Sequence, residues 1–196
     1  MEKEILFNQY ISNINPYFKK IYNLCIEKGT LKFYNKGDYI SKEGDIFPYW
    51  GYIESGIIKY TCYNATENKE YNTGFSFAGE FVADYPTCLY NLESEISICA
   101  LTDCNIFICH SDILIKEFEK SFEELYMARI IAEQMFFQTY SRYADLYRLT
   151  PEERYKQLLK RSPYLFQLIP LKEIASYLKI TPTHMSRIRK AITMNK

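Results

Sequence analysis

Short apolar segments separated by turns fill the first part of the chain, and helical spacing fills the rest. Leu31–Tyr34, Tyr39–Ser41, Tyr49–Ile53, Ile57–Tyr63, Ile96–Leu101 and Asn105–Ile108 are rich in β-branched and aromatic residues. Lys36-Gly37-Asp38, Glu43-Gly44-Asp45 and Ser55-Gly56 punctuate them. Many short strands at that density predict a sandwich, barrel or jelly roll. Every glycine lies between Gly29 and Gly79, which divides a turn-rich part from a helical part. Ile5 to Glu27 reads as helical, with Pro16 marking a break or a new start.

From Ser111 to about Arg148 the spacing is helical and contains neither Gly nor Pro. Leu125, Ala132, Thr139 and Leu146 share one heptad position, and Ala128, Met135, Arg142 and Leu149 share another. A helix this long, with aromatic residues outside the seam, is expected to bury two faces, one on the β domain and one on a second copy of the chain. Thr139 and Arg142 interrupt the seam, and burial wholly within one chain is the alternative. Thr150-Pro151-Glu152-Glu153 then combines a capping threonine, a first-turn proline and a capping-box glutamate. The helix it starts runs to about Arg161, where Ser162-Pro163 ends it. The expected division is 1–110, 111–149 and 150–196.

Pro170 to Ile192 carries the most specific pattern. Ile174 and Leu178 are four apart on a first helix, and Met185 and Ile188 are three apart on a second. Ala175 suits the point where the helices cross, and Ile180 can plug the angle between them. Thr181-Pro182 repeats the cap-plus-proline start. This spacing resembles a helix-turn-helix at every apolar position. Lys179 departs from it, because a left-handed turn residue favours glycine and lysine there costs about 1 kcal/mol. The second helix would display Thr183, His184, Ser186, Arg187 and Lys190, with Arg189 at its edge. Arg187 is the expected base reader, since a guanidinium can bond a guanine edge in bidentate fashion, and Thr183 can add a hydroxyl or methyl contact. Thr181, His184, Ser186 and Lys190 suit phosphates.

Charge supports a polyanion partner for that end. Residues 151–196 hold ten Lys and Arg against three acids, a net of +7, while the other 150 residues carry −7. The aromatic share of 17% implies a well-filled core without naming a function. Six cysteines, Cys25, Cys62, Cys88, Cys99, Cys104 and Cys109, form no C-x-x-C pair, and the histidines are His110 and His184 alone. No metal or cofactor is therefore expected, and the thiols read as reduced and structural, with a redox-sensing thiol left open. No apolar run approaches the roughly 18 to 20 residues of a membrane span, and the start does not read as a secretory signal, so a cytoplasmic protein is expected. No catalytic motif is found, so an enzyme is not expected.

A β-rich front, a long connecting helix and a C-terminal helix-turn-helix resemble the Crp/Fnr family of bacterial transcription regulators over nearly the whole chain. Lys36-Gly37-Asp38, Glu43-Gly44-Asp45 and Ile53-Glu54-Ser55-Gly56-Ile57 look like turn glycines of the cyclic-nucleotide-binding jelly roll. Ile174-Ala175-Ser176-Tyr177-Leu178 and Met185-Ser186-Arg187-Ile188-Arg189-Lys190 resemble the DNA-binding helices. The resemblance implies an α+β protein with a jelly-roll sensor, a dimerisation helix and a helix-turn-helix. It also implies a homodimer on a two-fold symmetric operator in double-stranded DNA, with RNA polymerase as a further partner. Its effector pocket would fall at Gly79, Glu80, Ser94 and Glu95. Gly79-Glu80 matches the ribose pair, but Ser94-Glu95 stands where an Arg-Ser or Arg-Thr pair holds the cyclic phosphate, and no Lys or Arg occurs from Glu70 to His110. A phosphate without a cation is poorly compensated, so cAMP and cGMP are not expected, and an unknown small-molecule effector stays open. Thr193-Met194-Asn195-Lys196 is too short for the wing that many relatives carry. The alternative function is a sensor or protein-interaction module without sequence-specific DNA binding.

Overall fold

The structure, a computed structural model, describes residues 16–161 and 165–194. Helix α1 is described over Pro16–Lys28, while Ile5 to Asn15 lies outside the described residues. Eight strands follow: β1 (Thr30–Tyr34), β2 (Tyr39–Ser41), β3 (Tyr49–Ser55), β4 (Ile57–Asn64), β5 (Lys69–Phe77), β6 (Phe81–Val82), β7 (Ser97–Ala100) and β8 (Cys104–His110), with the short helix α2 (Thr87–Tyr90) between β6 and β7. The six strands expected from sequence are present, within a few residues at their ends. β5 and β6 were not among them: Lys69 to Phe77 carries Asn72, Thr73 and Gly74 at its centre and lacks an apolar run.

The strands form two antiparallel sheets of order β1-β8-β3-β6 and β2-β7-β4-β5. Ile53, Val82, Ile106 and Ile108 from the first sheet and Ile40, Ile58, Ile98 and Ala100 from the second make one core between them. Alternation along β8 explains how one strand serves two layers: Cys104, Ile106 and Ile108 enter that core, while Phe107 and Cys109 pack outward against Ile21 and Cys25 of α1. The β3–β4 turn needs Gly56, whose φ is +99° and where a Cβ would stand 2.4 Å from the Asp103 carbonyl oxygen.

The helical run after His110 is two helices rather than one. α3 (Ser111–Phe118) ends before Ser121, whose hydroxyl accepts from the Glu124 amide at 3.2 Å and starts α4 (Phe122–Arg148). A serine N-cap followed by Glu123 and Glu124 is a helix start that the uninterrupted helical spacing concealed. Lys20 of α1 pairs with Glu117 at 3.3 Å and with Glu124, tying α1 to this junction.

α5 (Pro151–Arg161) opens with the expected capping box: the Glu153 carboxylate accepts from the Thr150 amide at 2.8 Å, and the Thr150 hydroxyl accepts from the Glu153 amide at 3.3 Å. Ser162-Pro163 lies outside the described residues. α6 (Leu165–Leu168), α7 (Leu171–Tyr177) and α8 (Pro182–Met194) complete the chain. Asn195 and Lys196 are outside the described residues.

Candidate nucleic-acid interface

The turn between α7 and α8 follows from its sequence. Lys179 takes φ +55°, as its place in the turn requires. The Ile180 amide donates to the Ala175 carbonyl at 3.0 Å and the Lys179 amide to the Ser176 carbonyl at 3.0 Å, which closes α7 in a Schellman arrangement. The Lys179 ammonium lies 5.6 Å from the centre of the Tyr71 ring. Thr181 then caps α8, its hydroxyl accepting from the His184 amide at 3.2 Å.

Ile174, Ala175, Leu178, Met185 and Ile188 are all buried, and Ile180 packs against them. Thr181, Thr183, His184, Ser186, Arg187, Arg189 and Lys190 are all exposed. Thr183 and Arg187 stand one turn apart, as do Ser186 and Lys190, so the polar stretch covers about 10 Å of helix. It is a rigid, cationic, solvent-facing ridge.

The core beneath this ridge is not private to the helices. Ile57, Phe75 and Leu101 of the β domain belong to the same buried cluster as Tyr155, Leu158, Ile169, Ile174 and Met185. The Phe75 and Tyr177 rings are 5.5 Å apart. The Asn72 side-chain amide donates to the Glu173 carbonyl (2.9 Å) and carboxylate (2.8 Å), its backbone amide donates to the Ser176 hydroxyl (3.0 Å), and Lys59 pairs with Glu173 at 3.3 Å. Arg154 bridges the other side, its guanidinium donating to the carbonyls of Leu146 (3.2 Å), Leu149 (3.5 Å) and Leu178 (2.7 Å). These contacts fix the ridge relative to both the second sheet and the long helix. Sequence reasoning missed Lys59, Asn72 and Arg154. A polar residue inside an unread strand was the only available signal for Asn72, and nothing local marks Arg154.

The four residues expected at an effector pocket have these surroundings. Gly79 takes φ +89°, its amide donating to the Ile53 carbonyl at 2.8 Å, and the Glu80 carboxylate accepts from the Phe77 amide at 3.2 Å. This is a turn held to β3. Ser94 is buried and donates to the Asp84 carboxylate at 2.5 Å, whereas Glu95 is exposed. Asp84 is itself buried, a neighbour the sequence did not suggest. A surface cleft of about 390 Å³ lies elsewhere, lined by Tyr39, Lys42, Glu43, Tyr63, Glu70 and Ser97.

Along α4, Leu125, Thr139 and Leu146 of the predicted seam are exposed, and Ala132 is half-buried. Phe122, Tyr126, Phe136, Tyr140, Tyr143 and Tyr147 are also exposed, with Phe136 stacked on Tyr140 at 6.0 Å and Tyr143 edge-on to Tyr147 at 5.1 Å. No described helix is long and apolar enough to cross a membrane. No group of three or more His, Cys, Asp or Glu that could hold a metal ion occurs among the described residues.

Two facing antiparallel sheets, a long helix and a basic helix pair are the architecture of Crp/Fnr-type regulators, and solved structures share it. FixK2 from Bradyrhizobium japonicum is similar over 85% of each chain, with a TM-score of 0.71 at 16% identity. A transcriptional regulator assigned to the Crp/Fnr family, from Eubacterium rectale, is similar over 95% of this chain and 87% of its own, with a TM-score of 0.64 at 16% identity. A CooA mutant from Carboxydothermus hydrogenoformans covers 86% of this chain and 78% of its own, with a TM-score of 0.64 at 14% identity. At these identities the likeness is one of fold. No family model matches the sequence and no curated protein matches it.

Proposed function

We propose that this chain is a sequence-specific DNA-binding transcriptional regulator of the Crp/Fnr type, acting as a homodimer on a two-fold symmetric operator. In this reading residues 1–110 form a jelly-roll sensor domain, 111–149 connect and dimerise, and 150–196 form a helix-turn-helix. α8 lies in the major groove, Arg187 and Thr183 meet base edges, and Thr181, His184, Ser186, Arg189 and Lys190 meet phosphates. Bound there, the dimer recruits or blocks RNA polymerase. One observation carries this reading: seven polar side chains suited to DNA are exposed on or capping a single helix whose apolar residues are buried beneath it.

The exposed aromatic stripe of α4 is the proposed dimer surface. A second copy covers it best, because a two-fold pairing of these helices would present two α8 ridges to one duplex. The effector is not a cyclic nucleotide. The buried Asp84 carboxylate bonded to Ser94 supports this, because a phosphate beside it would meet a second anion and no cation. Selection of bound sequences from a random duplex pool tests the reading. A palindromic motif with half-sites about one helical turn apart is expected, and recovery of no enriched motif overturns it.

A further inference from the structure

Cys25 and Cys109 lie against each other where α1 crosses the outer face of the first sheet. Both are buried, at 0% and 1% exposure, in a cluster completed by Ile21 and Trp50. The Cys109 thiol donates to the Cys25 carbonyl oxygen at 3.6 Å. The Cys25 sulfur also lies 3.4 Å from the Phe107 carbonyl oxygen. Close approach depends on Gly29, where a Cβ would stand 3.0 Å from the Cys109 sulfur. The sulfurs of Cys99 and Cys104 likewise bond backbone carbonyls, those of Gly37, Ala100, Ile57 and Thr102.

The pairing makes the two thiols unequal. Accepting a hydrogen bond from Cys25 pulls the Cys109 pKa below the ordinary thiol value, while the same bond, followed by burial, pushes Cys25 up. Cys109 is thereby the nucleophile and Cys25 the partner that stays protonated, the division of roles thiol oxidation needs.

We propose that Cys25 and Cys109 are a redox-active dithiol that hydrogen peroxide converts to a disulfide, clamping α1 to strand β8. The Cys109 thiolate attacks the peroxide oxygen. The O–O bond breaks, the leaving hydroxide takes a proton to become water, and Cys109 becomes a sulfenic acid. The Cys25 sulfur then attacks the Cys109 sulfur. The S–S bond forms, the S–O bond breaks, and a second water leaves with the Cys25 proton. Two thiols and one peroxide thus give one disulfide and two waters. Because both sulfurs are buried, the rate is set by how often α1 lifts from the sheet. The closed bond spans 84 residues, and it fixes the helix that carries Lys20 to the start of α4. An effect on operator affinity would rest on the regulatory reading above; the disulfide itself does not.

The test treats the reduced full chain with hydrogen peroxide, alkylates it under denaturing conditions, and maps its peptides by mass spectrometry. The expected product retains two fewer alkylated cysteines, yields a Cys25–Cys109 cross-linked peptide, and reverts with dithiothreitol. Its melting temperature rises by an amount on the order of 10 °C. Cys25 and Cys109 both recovered alkylated, oxidation of either to an isolated sulfinic acid, or a cross-link confined to other cysteines overturns the proposal. Because the cross-link is mapped in the unaltered chain without DNA, its absence leaves the regulatory reading untouched.

Discussion

Asn72→Ala tests whether the exposed α8 ridge is held by the β domain. Asn72 is 6% exposed, and its side-chain amide makes two hydrogen bonds to Glu173, at 2.9 and 2.8 Å. A neutral hydrogen bond contributes about 0.5–1.5 kcal/mol net and one to a charged group about 1.5–3. Alanine removes one of each and leaves the Glu173 carboxylate, 14% exposed, with Lys59 as its remaining ion-pair partner. Undocking of α7 from β5 should therefore become easier by about 2–4 kcal/mol, a rise of roughly 30- to 1000-fold in the undocked population. The Asn72 backbone amide keeps its bond to Ser176, so the strand itself is spared. Native-state hydrogen exchange read by mass spectrometry reports this directly. Peptides covering 171–194 should exchange faster, while those covering β1 and β8 keep their protection. Exchange of α7 and α8 within about twofold of the parent would refute the docking argument.

Other substitutions probe separate parts of the account. Lys179→Gly removes a left-handed lysine and should raise stability by about 0.5–1 kcal/mol after losing its contact with Tyr71, seen as a higher urea midpoint with an unchanged slope. Burial pushes the Tyr155 phenol up to about 12 from 10.0. A raised pKa favours the neutral form in the folded state, so the stability it confers is complete below pH 10 and lost as pH rises towards about 12. Circular dichroism of the alkaline transition should show Tyr155→Phe unfolding at higher pH than the parent. Phe136→Glu, at a position 71% exposed, should convert a dimer to a monomer in analytical ultracentrifugation while shifting the melting temperature by only a few degrees. A variant that stays dimeric would remove α4 as the dimer surface.

The helix pair was legible in the sequence because its constraints are local. The turn at Lys179 and the cap at Thr181 depend on residues within one or two turns, and the spacing of Ile174, Leu178, Met185 and Ile188 marks the face that each helix buries. The same holds for the Thr150–Glu153 capping box. What escaped is non-local. β5 pairs with β4 across a bulge between Tyr60 and Thr61 and packs its polar Asn72 on a helix 101 residues away, which no period could show. The break before Ser121 was hidden because neither Gly nor Pro marks it. The Cys25–Cys109 pair joins residues 84 apart through strand alternation, whereas attention to spacing compared only neighbouring cysteines. The contact of Ser94 with the buried Asp84, ten residues earlier, is non-local in the same way, while Glu95 faces solvent.

Arg187→Ala shows whether α8 reads base sequence. Fluorescence anisotropy should compare the parent and the variant on a selected operator and on a scrambled duplex at one fixed salt concentration. The variant should lose about 10- to 100-fold in operator affinity, corresponding to about 1–3 kcal/mol for a bidentate contact, with a much smaller change on the scrambled duplex. An equal loss on both duplexes would make Arg187 a phosphate contact. Unchanged preference for the operator would contradict the account.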